Sequence, residues 1–175
     1  MLIPATLSLT NDARLRPPTL EDGPALQRLI DANREHLAPW MAWAHRGYDS
    51  TWLAVSLAAM EAGTTAQFVF EREGELLGTI GFHGFDPVNR ATSIGYWIAA
   101  SAQGHGYVTT AVRSLSELAF REWGLHRIQL RAAVENRRSR AVAERCGFVE
   151  EGIAREAELV DGRFLDLVVY SLLAP

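Results

Sequence analysis

The sequence predicts one α/β domain of the α+β kind, an antiparallel meander that feeds a strand–loop–helix unit. Three observations carry this. Strand and helix signals interleave along the chain in the order ββ-α-α-βββ-α-β-α-ββ. Turn residues separate neighbouring strand signals at short intervals, as hairpins require. The 175 residues hold no internal repeat, low-complexity tract or linker, which is enough chain for one well-buried domain and short for two, so residues 1–175 are read as a single unit.

Each element has its own reason. "TLSLTNDARLRP" alternates apolar and polar residues on both sides of Asn11 and Asp12, as a strand pair with a turn does. Thr19 and Asp22 form a start signal of capping-box type, followed at helical spacing by Leu26, Leu29 and Ile30. "PWMAWAHRGYDS" reads as a loop or irregular helix carrying Trp40 and Trp43, and Ser50 opens a second helix, "TWLAVSLAAMEA", that Gly63 ends. "AQFVFEREGELLGTIGFHGF" is the clearest hairpin, turning at Glu73-Gly74-Glu75, and "ATSIGYWIA" is the next strand. A helix from about Thr109 to Trp123 stops at Gly124; "HRIQLRAAV" is a strand, and "SRAVAERC" a short helix stopped by Gly147. "EEGIAREAELVDGRFLDLVVYSLL" closes the chain as a hairpin turning at Asp161-Gly162.

Composition narrows the function classes. A formal net charge of -4 and a pI of about 5.7 argue against a broad nucleic-acid-binding surface. One cysteine, Cys146, excludes an intrachain disulfide framework and fits a reducing compartment. No run of 18 apolar residues occurs, and Asn11, Asp12, Arg14 and Arg16 interrupt the opening stretch, so neither a membrane span nor a signal peptide is expected and the expected location is the cytoplasm. The histidines at 36, 45, 83, 105 and 126 lack metal-ligand spacing, and no metal is expected.

The informative stretch is "SAQGHGYVTTAV", residues 101–112, between a strand and a helix. Gly104 and Gly106 flank His105 and leave backbone N–H groups uncovered at the positive end of a helix dipole, an arrangement suited to phosphate. A nucleoside-triphosphate loop would need a lysine after the last glycine, and Gly106 is followed by Tyr107. A dinucleotide loop would need a third glycine or alanine where Thr109 stands, and its acidic partner, for which Glu135 comes too late. The bland alternative is a turn whose glycines only relieve crowding.

Gln103-Gly104-His105-Gly106-Tyr107-Val108 resembles the Q/R-x-x-G-x-G/A loop of the GCN5-related N-acetyltransferases (GNAT), with Val108 departing from the usual final Gly or Ala. The resemblance extends over nearly the whole chain. "GELLGTIGFHGFDPVNRATSIGYWIAASAQGHGYVTTAV" and "VENRRSRAVAERCGFVEEGIAREAELVDGRFLDLVVYSLL" are similar to the meander, cofactor loop and C-terminal part of the branch that acetylates ribosomal proteins on an N-terminal serine or alanine. It implies a mostly antiparallel central sheet, splayed in the middle and flanked by about four helices. It also implies acetyl-CoA as cosubstrate, with pantetheine paired to the splayed strand near Tyr96, Trp97 and Ile98. The pyrophosphate would lie on the turn Gln103, Gly104, His105, Gly106, Tyr107, Val108 and Thr109. A homodimer is implied as well.

Acetyl transfer needs a neutral amine, donors for the oxyanion and a proton for the leaving thiolate. An α-amine titrates at about 7.7–8.0 and a lysine at about 10.4, so an N-terminal acceptor needs only modest help from a base. By resemblance Glu158 is the general base, Ser139 the general acid toward the thiolate and Asn136 an amide near pantetheine, with backbone N–H groups near Trp97 and Ile98 for the oxyanion. Each has a plainer reading: Ser139 as a helix N-cap, Asn136 as an Asx turn, Glu158 on a solvated strand face, Tyr96 as a packed aromatic and only secondarily an alternative acid. Trp40, Trp43 and Trp52 are core residues or the walls of an acceptor cleft. Cys146 reads as a buried helix-end residue, not a nucleophile. The expected activity is acetylation of a protein N-terminus, ribosomal in the first instance. The alternatives are a small amine acceptor, or a silent acyl-CoA-binding protein.

Overall fold

A computed structural model describes residues 3–9, 12–45 and 51–175 of the protein. Among these residues the strands are β1 (Leu7–Ser8), β2 (Ala13–Arg16), β3 (Thr65–Arg72), β4 (Glu75–Asp86), β5 (Ala91–Ile98), β6 (Arg127–Ala133), β7 (Val149–Val160) and β8 (Arg163–Leu173). The helices are α1 (Gly23–Ala32), α2 (Arg34–Leu37), α3 (Ala42–His45), α4 (Thr51–Glu61), α5 (Tyr107–Arg121) and α6 (Arg137–Arg145). The eight strands form one sheet in the order β1-β2-β3-β4-β5-β6-β8-β7. Every pairing is antiparallel except β5 with β6.

Alternation along the central strands builds a core on both faces of the sheet. Phe68 and Phe70 of β3 pack with Ala111, Leu115 and Ala119 of α5 and with Val142 and Ala143 of α6. Val69, between them, faces the opposite cluster with Leu26 and Ile30 of α1 and Leu53 of α4. The same alternation sends Ile98 to the first face and Trp97 to the second. A smaller cluster of Ala133, Val160, Leu165 and Leu167 lies where β6, β7 and β8 meet, with Trp40 packed on it.

The capping-box signal is real: the Thr19 N–H donates to Asp22 Oδ2 at 2.7 Å, ahead of α1. Asp22 is also part of a charged cluster. Arg16 forks onto its two oxygens at 2.8 and 2.7 Å and also reaches Glu71, which Arg14 Nε contacts at 2.8 Å. Asp22 and Glu71 are only 8% and 7% exposed.

The structure corrects several expectations. Among the described residues six helices are present rather than about four: the first predicted helix breaks at Asn33 into α1 and α2, and the Trp40 stretch folds partly into α3. α5 begins at Tyr107, not Thr109, since Gly106 at φ +79 ends the loop as the N-cap. α6 begins at Arg137, not Ser139, because Asn136 is its N-cap: the Asn136 Oδ1 accepts the Ser139 N–H at 3.1 Å. The capping role foreseen for Ser139 therefore belongs to Asn136. Glu75 lies inside β4, and the β3–β4 turn is just Glu73 and Gly74, both at positive φ. Asn11 of the first turn and Ser50 before α4 lie outside the described residues.

Candidate active site

The site begins where two strands part. β5 pairs with β6 only at Ala91, Thr92 and Ser93, opposite Arg127, Ile128 and Gln129. Beyond this, β6 stays bonded to β8 through Ala133, and β5 to β4 through Ile98, so a wedge opens between them. The Ala99 N–H donates to the Leu77 carbonyl of β4 at 2.7 Å, and hydrogen-bonding direction alternates along a strand. Trp97 therefore spends its backbone groups on β4, while Tyr96 and Ile98 present theirs to the wedge. Gly78 permits this approach: it adopts φ +155, and a Cβ there would overlap the Trp97 carbonyl oxygen and stand 2.7 Å from the Ile98 Cα.

A cavity of 1210 Å³ fills the wedge. Its floor is β5 and β6, with Tyr96, Trp97 and Ile98 on one side and Leu130 to Ala133 on the other. One end is the loop before α5. Gly104 and Gly106 sit at φ +81 and +79 with nothing within 4 Å of a would-be Cβ. The first intrahelical bond at this end runs from Thr110 to Gly106, at 3.0 Å, and no side chain caps the helix. The N–H groups of Tyr107, Val108 and Thr109 are thus the free donors of a 15-residue helix, a cradle for an anion. Arg137, Arg138 and Arg145 line the same cavity. These residues fit a pyrophosphate-bearing cosubstrate.

The loop residues divide by role. Gln103 accepts from Arg138 Nη1 through Oε1 at 2.6 Å and donates from Nε2 to His36 Nε2 at 2.9 Å. Since guanidinium only donates, this polarity makes the His36 Nε2 an unprotonated acceptor. A second contact joins the same corner, from the Ala100 N–H to Asn33 Oδ1 at 2.8 Å. His105 is exposed and outside the cavity lining; its Nδ1–H donates to the Gln103 carbonyl at 2.9 Å and its ring stacks on Tyr107. The Tyr107 ring is buried in the main core and donates its hydroxyl to Asp12 Oδ2 at 3.3 Å, so only its backbone belongs to the anion cradle. Val108 packs partly against the main core while lining the cavity.

Tyr96, Asn136, Ser139 and Glu158 all line this cavity. The Tyr96 hydroxyl lies 2.9 Å from Ser139 Oγ. Burial pushes the Tyr96 phenol up to about 12, against the opposing pull of its Ser139 bond. Glu158 stands opposite Leu165 on β8, and its neighbour Leu159 is 49% exposed. This reverses the usual pattern: the carboxylate faces inward with Val160, and the leucine faces solvent. The cause is a bulge between Ala154 and Glu158, where Glu156 takes φ +50 and its N–H donates to Asp166 Oδ1 at 2.7 Å. Half-burial raises the Glu158 pKa above the ordinary carboxylate value.

Trp40, Met41 and Trp43 also line the cavity, and Trp43 stands 6.0 Å from Trp97, whereas Trp52 of α4 is absent from the lining. Cys146 donates to the Thr109 carbonyl at 3.5 Å, and burial pushes its thiol up despite Arg113 and Arg145, the setting of an inert thiol. Among the described residues no cluster of three or more His, Cys, Asp or Glu side chains could hold a metal ion, and no helix is long and apolar enough to cross a membrane. Sequence reasoning missed His36 and the arginines at 137, 138 and 145. For two of these the signal was present in the "NRRS" run beside Asn136.

Residues 12–149 match the family described as the acetyltransferase (GNAT) domain. YdaF of Bacillus subtilis (strain 168), provisionally named a ribosomal N-acetyltransferase, is 40% identical over 164 residues, covering 87% of this chain and 86% of its own. The ribosomal-protein-serine acetyltransferase of Escherichia coli (strain K12) is 32% identical over 111 residues, 63% of this chain and 62% of its own. Among solved structures, the microcin C7 self-immunity acetyltransferase MccE in complex with acetyl-CoA and AMP superposes with a TM-score of 0.91 at 27% identity, covering 98% of each chain.

Proposed function

We propose that this chain, which belongs to the GNAT acetyltransferase family and is an acetyl-CoA-dependent N-acetyltransferase, acetylates the N-terminal α-amine of a protein, a ribosomal protein first. The observation that carries the chemistry is the inward-facing Glu158 in the wedge between β5 and β6. The names of two relatives support the acceptor. The unbroken sheet supports reading residues 1–175 as one domain. A ribosomal acceptor places the reaction in the cytoplasm. A homodimer rests on the resemblance alone, and light scattering on the purified protein tests it.

Acetyl-CoA supplies the thioester, and the chain's own groups do the rest. Backbone amides of Tyr107, Val108 and Thr109, with Gln103, Gly104 and the nearby arginines, hold the phosphates. The exposed backbone of Tyr96 and Ile98 receives pantetheine, with Asn136 beside it. The amine attacks the carbonyl carbon, forming the C–N bond; the oxyanion takes N–H donation from the splayed strand, for which the alternation favours Ile98 over Trp97. Glu158 takes the proton that nitrogen releases, directly or through water. As the C–S bond breaks, Ser139 donates to the sulfur and regains its hydrogen from solvent, so one proton leaves nitrogen and one reaches sulfur.

A flat or cationic small amine is the second reading. Trp40 and Trp43 line the cavity, and such rings suit both kinds of acceptor. The MccE structure is a complex with both acetyl-CoA and AMP. The test is thiol release from acetyl-CoA with three acceptors: peptides beginning Ser or Ala, the same peptides N-terminally blocked but carrying lysine, and small amines, with mass spectrometry locating the acetyl group. Acetyl on the α-amine is the expected result. Turnover of blocked peptides or of small amines alone would overturn it.

A further inference from the structure

Ser139 is tied to its surroundings through Asn136 and Tyr96. Its N–H is taken by Asn136 Oδ1 within the cap of α6. Its side-chain oxygen meets the Tyr96 hydroxyl at 2.9 Å, and the same hydroxyl lies 3.4 Å from the Ser139 carbonyl. Tyr96 sits on β5 beyond the last β5–β6 pair, so this contact ties the splayed strand to the first turn of α6 across the wedge. A serine hydroxyl has one hydrogen and rotates freely unless a partner fixes it. A protonated phenol can donate to the serine oxygen or accept from it, and where it donates, the serine hydrogen is left for another partner.

We infer that Tyr96 is a positioning residue: it donates to Ser139 Oγ and thereby aims the Ser139 hydrogen into the wedge, toward the sulfur that leaves. This rests on the reading of Ser139 as the donor to that sulfur. No proton leaves Tyr96. Held protonated by burial, it keeps donating across the working pH range, and the sulfur is served by Ser139 alone. The pair thus divides the task between a fixed donor and a directed one. The tyrosine need not touch the substrate with its hydroxyl.

The test is a double-mutant cycle of Y96F and S139A, assayed with acetyl-CoA and whichever peptide or amine the acceptor screen identifies. Y96F is expected to lower kcat by about 5- to 10-fold, the worth of one hydrogen bond, with KM for acetyl-CoA changed by less than about 2-fold. In the S139A background the same change is expected to do nothing further. Titration of bound coenzyme A, followed by thiolate absorbance, supplies a readout without turnover. Wild type should lower the thiol pKa, and Y96F and S139A should each release that shift to the same extent. An equal fold-loss from Y96F with or without Ser139, or a lowered thiol pKa released by S139A but not by Y96F, would overturn the inference. If S139A kept full kcat and the lowered thiol pKa, the Ser139 reading would fall first and the inference with it. That outcome differs from a loss caused by Y96F alone, which leaves Ser139 in place.

Discussion

Glu158 faces inward while Leu159 beside it meets water, and that reversal sets a pH dependence. Burial raises the pKa of its carboxyl, so the proposed base is protonated, and idle, over a range where an exposed glutamate would already be ionised. The acid limb of kcat/KM is therefore expected above the ordinary carboxylate range of about 4.3, with activity rising as pH rises. Glu158→Gln should remove that limb and lower kcat by about 10²- to 10⁴-fold while acetyl-CoA still binds by calorimetry. The sign for stability is opposite. A carboxyl whose folded pKa is raised favours the folded state at low pH and burdens it once ionised, so Glu158→Gln should melt slightly higher than wild type at pH 8. The residue types at this site were legible in the sequence, Glu158 and Ser139 among them. Their surroundings were not: "EAELVD" alternates as a solvated strand would, and the bulge at Glu156 that turns its faces over is a backbone conformation no side-chain pattern announces.

At the scale of the element, the wedge depends on how β5 leaves β6 while staying fastened to β4. Gly78 is the fastening point, because it lets the Trp97 carbonyl and Ile98 Cα approach where any side chain would collide. Gly78→Ala combines a strained φ with overlap against backbone, and is expected to cost about 2–4 kcal/mol in chemical denaturation. It should also weaken acetyl-CoA binding, since relief requires β5 to shift. Most elements could be placed from the sequence because hydrophobic period and turn residues agree, as in the β3–β4 and β7–β8 hairpins. The starts of α5 and α6 were misplaced by two residues each, because the caps are Gly106 and Asn136 and the polar residues just inside looked like better beginnings. The stretch from Arg34 to His45 resisted for another reason: α2 and α3 span four residues each, too few to show a period.

Across the whole molecule, the charged cluster of Arg14, Arg16, Asp22 and Glu71 joins β2, β3 and the entrance to α1, with its two carboxylates nearly closed to water. The Arg16 and Arg14 bonds hold the Glu71 carboxyl below its usual range; burial pushes Asp22 up, but Arg16 and the Thr19 amide outweigh it. Both pKa values are depressed, so their contribution is complete above the unfolded values of about 4 and disappears as pH falls through the folded ones. Urea midpoints should stay level from pH 7 to about 5 and then drop, and Glu71→Gln should cost about 3 kcal/mol at pH 7 and flatten that drop. None of this cluster could be read from the sequence, where 55 residues separate Arg16 from Glu71. The paired contacts Asn33–Ala100 and His36–Gln103 have a longer reach. They pin the corner from which the chain runs on through Leu37, Trp40 and Trp43 to the very loop proposed to grip the first substrate. Whatever stills that loop stills the wall awaiting the second, so coenzyme A alone, with no amine present, should slow amide hydrogen exchange in residues 34–45. The donor substrate would then build part of the seat its acceptor takes.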